Sequence, residues 1–221
     1  TFLTSKLSQD KQIDSIYYRP ALSLYWMLTY AYAGTVEWRW HLTSILLHAI
    51  TAALVYQTLL LSLRTLHCQD SHFLALLAAT VFAIHPAQSE SVAWVAAAAN
   101  SLTAIPILLS LMAYLKARDG STGWLLGSAA LYALALFTKE FAVVLPLLLL
   151  AYELFILDKL PSLKAWLLKP ALYSLPFILI TLSYIFLRLV VLGIQFRGSG
   201  VGIDFPDATV ISRAVQLYTL P

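Results

Sequence analysis

Long apolar runs alternate with short polar interruptions along this chain, at a spacing that a lipid bilayer would set. Six apolar stretches, at about 41–63, 73–84, 101–115, 124–138, 141–157 and 171–192, each predict a membrane helix. Residues 1–19 are polar, carry Lys6, Asp10, Lys11 and Asp14, and show no helical period. Pro20 then stands where the first turn of a helix accepts a proline. The segment 21–30 that follows is rich in Trp and Tyr and too short before Gly34 to cross a bilayer, so it predicts a helix lying in the interface. Beyond 192, the run Arg197-Gly198-Ser199-Gly200-Val201-Gly202 reads as a flexible loop, and Pro206-Asp207 opens an amphipathic helix with Val210, Ile211, Ala214, Val215 and Tyr218 on one face. The expected fold is an all-α integral membrane protein, a polytopic helical bundle. Its parts are an outer-face loop with interfacial helix (1–40), the transmembrane bundle (41–192), and an outer-face loop with amphipathic helix (193–221).

The longest polar interruption within the apolar part runs from His85 through Pro86, Gln88, Ser89 and Glu90 to Trp94, and it holds no lysine or arginine. Non-helical polar backbone in a membrane protein is tolerated only at water or along a protein cavity. Arg64 follows the first span, Lys116 and Arg118 the third, and Lys159, Lys164 and Lys169 the fifth, so positive charge gathers at alternate loops. That distribution puts those loops in the cytoplasm and the His85 loop outside. The spans 73–84 and 124–138 are short: twelve residues at about 1.5 Å each cover only about 18 Å of a core about 30 Å thick. His85 and the pair Lys139-Glu140 are therefore expected to lie below the outer surface and to face one water-filled cavity. Pro106, Pro146 and Pro176 fall inside spans, where they bend helices and free carbonyls.

Composition supports the membrane assignment. The chain is 60% hydrophobic and 11% charged, against about 25% charged in a soluble domain. The net charge of +3 then speaks of helix orientation, and no nucleic-acid partner is implied. The single cysteine, Cys68, excludes an internal disulfide and a cysteine metal cluster. Both ends read as interior sequence, so further segments are expected on either side.

Lys139-Glu140 stands between two apolar runs, with no other charged residue from 120 to 152. Ionisable groups at such a place mark pathways or sites, although the turn of a helical hairpin that touches water is the plainer reading. A lysine can bind phosphate as a point charge, with the glutamate holding it in place. His85 and Glu90 have the residue types of an acid/base or metal pair, and equally of a helix-ending His-Pro beside a surface glutamate. His48 shares a helix face with His41 and lies well inside its span, where an interhelical hydrogen bond is the plainer role. Arg19, as an isolated arginine, either meets a lipid phosphate or snorkels to headgroups. Glu153 lies near the cytoplasmic end of its span and is expected to reach water. On residue types alone, a transferase, a transporter and a structural subunit all stay open.

The order of several motifs narrows this. Tyr17-Tyr18-Arg19-Pro20, Trp40-His41-Leu42-Thr43 with Leu46-Leu47-His48-Ala49, His85-Pro86 with Glu90-Ser91-Val92-Ala93-Trp94, and Thr138-Lys139-Glu140 with Leu145-Pro146 occur in that order. Together, over about 17–192, the chain resembles bacterial relatives of the transmembrane-and-TPR-repeat O-mannosyltransferases, within the GT-C class of glycosyltransferases. The resemblance implies a membrane enzyme that moves a mannose-like sugar from a polyprenyl-phosphate carrier to a protein or glycan acceptor, on the outer face of a bacterial inner membrane. No other cofactor is implied; lipid, the donor, the acceptor and other membrane subunits are the expected partners. An earlier helix, later helices and TPR repeats are expected outside the chain. Carried over by position, Glu90, His85 and Glu140 would be catalytic, with Asp14 as a weak substitute for an upstream aspartate. Lys139, Arg19 and His48 would be substrate-binding.

The chain departs from that pattern in two places. The acidic motif expected in the first outer loop of this class is not apparent, with Asp10 or Asp14 as weak substitutes. Relatives usually carry a stretch like Gly-Arg-x-Asp after the Trp94 position, where this chain has Ala97-Ala98-Ala99-Asn100. Replacing a cation and a carboxylate is expected to weaken phosphate or acceptor handling. It favours the alternative function, a catalytically degenerate relative serving as a structural or accessory subunit. A transporter ranks third, because paired broken helices and an inverted repeat are not seen.

Overall fold

The structure is a computed structural model that describes residues 19–118, 120–153 and 163–191, with backbone alone at 163–172 and 191. Expectations for Asp10, Asp14, residues 154–162 and the segment 193–221 lie outside the described residues. The chain divides into two units. The one spanning Tyr18–Leu187 carries every interaction described below; in the other, Thr1–Tyr17 with Arg188–Pro221, the described part is the end of a π-helical turn at Leu187–Val191.

Eight α-helices make up the described chain: α1 Pro20–Ala33, α2 Glu37–Thr65, α3 Ser71–Ile84, α4 Ser89–Ala93, α5 Ala98–Ala117, α6 Thr122–Thr138, α7 Leu145–Tyr152 and α8 Leu163–Phe186. Among the described residues there is no strand, as the apolar periodicity requires. Glu37–Thr65, Val95–Ala117 and Tyr173–Val190 are each long and apolar enough to cross a membrane, and a fourth span results if α3 and the segment Pro86–Ala93, bent by 53°, count as one. Thr122–Thr138 and Glu140–Tyr152 are shorter apolar helices, and Ser71–Ile84 has 14 residues, so the short second and fourth stretches of the sequence are short in the fold as well. The last helix begins at Leu163, which puts the backbone of Lys164 and Lys169 in a helix rather than in the expected loop.

The sorting of side chains is that of a protein whose outside is oil. Small and hydroxyl-bearing residues are buried, among them Ser44, Thr51, Ala75, Ala79, Ser110, Ala113, Ser128, Ala129 and Ala135, while Leu46, Ile50, Phe73, Leu76 and Leu126 are exposed. Helices that associate without a hydrophobic driving force pack through small residues and interhelical hydrogen bonds. The α5–α6 pair does both. Ser110 Oγ donates to the Ser128 carbonyl at 2.8 Å, and Ser128 Oγ returns a bond to the Ser110 carbonyl at 2.6 Å. Larger residues gather in one cluster, where Tyr114, Tyr132 and Phe177 meet edge-on or tilted beside Leu136, Leu145 and Leu149.

The polar interruptions are breaks with local causes. Gly34 takes φ +55°, a left-handed value that glycine adopts without strain, and so turns α1 into α2. Trp40 Nε1 then donates to the Gly34 carbonyl at 3.0 Å and fastens the corner. Pro86 biases its predecessor away from helical backbone, and His85 is extended (φ −63°, ψ 131°). The Ala87 N–H donates to His85 Nδ1 at 3.1 Å instead of continuing the helical ladder. Ala83 thereby loses its usual partner, and its carbonyl accepts from His48 Nε2 of α2 at 3.0 Å. The third break is at Lys139, extended at φ −157° and ψ 135°, between α6 and a 3-10 turn at Glu140–Val144.

Candidate functional site

Two polar contacts meet where α6 breaks. Arg19, at the start of α1, donates from Nε to Glu140 Oε2 at 2.9 Å, and its terminal nitrogen approaches the same oxygen at 2.8 Å. Lys139 Nζ donates to Asn100 Oδ1 at 2.6 Å, and Asn100 Nδ2 donates in turn to Ser91 Oγ of α4 at 3.3 Å. The extended backbone at Lys139 lets consecutive side chains reach different partners, since neighbours along extended chain point to opposite sides. Lys139 turns to α5 and Glu140 to α1. Residues 19, 91, 100, 139 and 140 are thus joined across four helices and the 3-10 turn.

The electrostatics follow from which partner is charged. The Arg19–Glu140 pair is partly shielded, with side chains 23% and 18% exposed, and its two charges offset each other. Lys139 is held by an amide that carries no charge, so its cation is oriented without being neutralised by that contact. Arg19 is therefore paired with a carboxylate of the bundle and is not isolated.

The other candidates divide. His85 is exposed and uses Nδ1 to cap its own 3-10 turn, Pro86–Gln88. Glu90 is exposed on α4, next to the Ser91 that anchors Asn100, and its carboxylate makes no hydrogen bond or ion pair with the described residues. No bond joins His85 to Glu90 among the described residues, and no group of three metal-ligating side chains occurs among them. His48 takes the plainer of its two roles: it replaces the hydrogen bond that the break at Pro86 removes. A carbonyl accepts only, so His48 Nε2 carries the proton, and Nδ1 lies buried without a hydrogen-bond partner among the described residues. Asp14 lies outside the described residues.

Sequence reasoning missed Asn100 and Ser91 as participants. Asn100 was read only as the absence of an aspartate, yet it supplies the acceptor that holds Lys139. The neighbouring position is closed: Ala98 is 0% exposed and is flanked by buried Ala97 and Ala99. An arginine at 98 has no room in this packing.

The far end of the α5–α6 hairpin corrects another expectation. Glu153 does not reach water; it is 0% exposed, accepts from Tyr114 at 2.7 Å and pairs with Arg118 at 3.2 Å. Arg118 also lies over the Tyr173 ring, 5.1 Å from its centre.

An apolar groove of about 390 Å³ lies between α7 and α8. Val143, Pro146, Leu147 and Leu150 form one wall, and Ser174, Ile178, Thr181 and Leu182 the other. In a 3-10 turn residues three apart eclipse, so Val143 stands directly along the turn from Glu140.

Comparison with known proteins agrees with the motif order. The chain is similar to the protein O-mannosyl-transferase TMTC2 of Homo sapiens, 30% identical over 151 residues, which is 65% of this chain and 17% of that protein. It is also similar to TMTC2 of Xenopus laevis, 29% identical over 149 residues, 65% of this chain and 17% of the relative. With the protein O-mannosyl-transferase TMTC4 of Homo sapiens it shares 32% identity over 176 residues, 72% of this chain and 23% of the relative. The chain thus spans 17% to 23% of the length of these curated relatives. No protein-family model matches it, and no solved structure does. At that coverage the chain is an integral membrane protein whose homologues are protein O-mannosyl-transferases.

Proposed function

We propose that this bundle is part of a GT-C-type membrane glycosyltransferase that moves a mannose-like sugar from a polyprenyl-phosphate carrier to a protein acceptor. The carrying observation is the convergence of Arg19, Glu140, Lys139 and Asn100 at one break, where the lysine is held by a neutral amide. A cation held in place at a membrane protein's polar end suits a lipid phosphate. Lys139 would contact that phosphate and stabilise the charge left on it when the sugar departs. Glu90, exposed on the neighbouring short helix, is the base candidate for the acceptor hydroxyl, with Asp14 as the upstream alternative. Glu140 holds Arg19 at the edge of the site, and His85 shapes the loop that carries Glu90. The α7–α8 groove, which follows directly on Glu140, gives room to an apolar chain. The alternation of positive loops supports an outer-face site, and the motif resemblance to bacterial relatives supports a bacterial inner membrane.

The test is to extract the protein in native lipid and analyse bound isoprenoid phosphates by mass spectrometry. Copurifying polyprenyl phosphate that disappears in Lys139→Ala supports this reading; equal amounts in both overturn it.

A second reading has one observation in its favour. Ala98 is fully buried where the resembling family carries an arginine, so this chain has replaced a cation by close packing. That favours a degenerate relative retained as a subunit of a larger membrane complex. Lipid phosphate bound without any sugar transfer, in a protein that stays with other subunits on extraction, would select it.

A further inference from the structure

We propose that Asn100 is a positioning residue that orients the Lys139 ammonium while leaving its charge available to a ligand phosphate, a role that rests on the reading of Lys139 given above. Asn100 accepts from Lys139 Nζ at 2.6 Å and donates to Ser91 Oγ at 3.3 Å. The two bonds fix which way the amide faces: the ammonium has no acceptor, so oxygen must point to Lys139 and the NH₂ group to Ser91. Ser91 is 7% exposed and belongs to the packed base of α4, so the amide is anchored from behind. The lysine is therefore drawn to one place by a group without charge. The adjacent carboxylate, Glu140, is turned to Arg19. A carboxylate at position 100 would keep the geometry and cancel the cation; an apolar residue would keep the cation and lose the geometry. The two kinds of substitution separate the charge role from a structural one.

The full chain in nanodiscs of neutral phospholipid is titrated with farnesyl phosphate, and with farnesol as the uncharged control. Wild type is expected to prefer farnesyl phosphate, and Lys139→Met to lose that preference. Asn100→Asp, which fits the same space, still accepts from Lys139 and can accept from the Ser91 hydroxyl in place of donating to it, is expected to lose about tenfold in affinity for the phosphate and almost none for farnesol. Asn100→Ala should fall between wild type and Asn100→Asp. A merely structural role reverses that order, because aspartate preserves the bonds that alanine removes. Farnesyl phosphate binding that is weaker in Asn100→Ala than in Asn100→Asp overturns the positioning role and leaves the Lys139 reading intact. Equal binding of farnesyl phosphate and farnesol by wild type overturns the Lys139 reading, and this role with it.

Discussion

Both ends of the α5–α6 hairpin carry an arginine–glutamate pair, and their surroundings differ. At the Arg118 end, Glu153 is sealed at 0% exposure, held by Tyr114 as well as Arg118, and covered by the aromatic cluster. At the Lys139 end, Glu140 and Arg19 keep about a fifth of their side-chain surface open, beside a lysine whose partner is neutral. The difference separates a pair sealed in the interior from one open to its surroundings. A charge with no route to water must be matched within the protein, and such a pair costs a great deal to break. An open pair contributes little to stability, and on the proposed reading the neighbouring lysine is the group a ligand phosphate meets.

Substitutions that exchange these roles would break the comparison. Glu153→Ala should have the largest effect, a loss of about 3–5 kcal/mol, because it breaks an ion pair whose carboxylate is fully buried. Thermal unfolding in detergent measures it, with Glu153→Gln expected to cost less since Tyr114 and Arg118 keep an acceptor. Lys139→Ala should leave unfolding nearly unchanged and lower sugar transfer about a hundredfold, the size of effect seen when one group that stabilises developing charge is removed. A transfer assay with polyprenyl-phosphate mannose reads this out, and a parallel loss of stability would put Lys139 in the same class as Glu153. His48→Ala should cost about 1 kcal/mol by leaving the Ala83 carbonyl unmatched, with faster amide hydrogen exchange confined to residues 84–94. The smallest effect is the coupling between Arg19 and Glu140. A double-mutant cycle in unfolding should return under about 1 kcal/mol, as partly exposed pairs do.

Much of the scaffold is legible in the sequence because the bilayer imposes one rule on every element. The apolar stretches at 41–63, 101–115 and 124–138 sit within helices that overrun them by a few residues, and the breaks at His85 and Lys139 stand where the polar residues put them. The site is less legible, because its bonds join distant positions. Arg19 and Glu140 lie 121 residues apart, and nothing local to either names the other. Asn100 illustrates a second limit. Comparing residue types registers an aspartate replaced by an amide, whereas the geometry shows that the amide still reaches the lysine. Glu153 illustrates a third: distance along a helix suggested access to water, and the side chains of Tyr114 and Arg118 close it. His85-Pro86 did hold a usable signal, since a histidine before proline at a helix end can cap the next turn with its own ring.

The paired serines have a mechanical consequence. Ser110 and Ser128 sit ten residues from Asn100 on one helix and eleven from Lys139 on the other, roughly 15 Å below the break at the rise of an α-helix. Each grips the other's backbone, so a slide of α6 along α5 by a single turn, about 5.4 Å, breaks both grips together. The contact therefore works as a peg. The two helices can tilt about it, but lysine and asparagine cannot drift out of register, and any motion that carries one along the membrane normal carries the other with it.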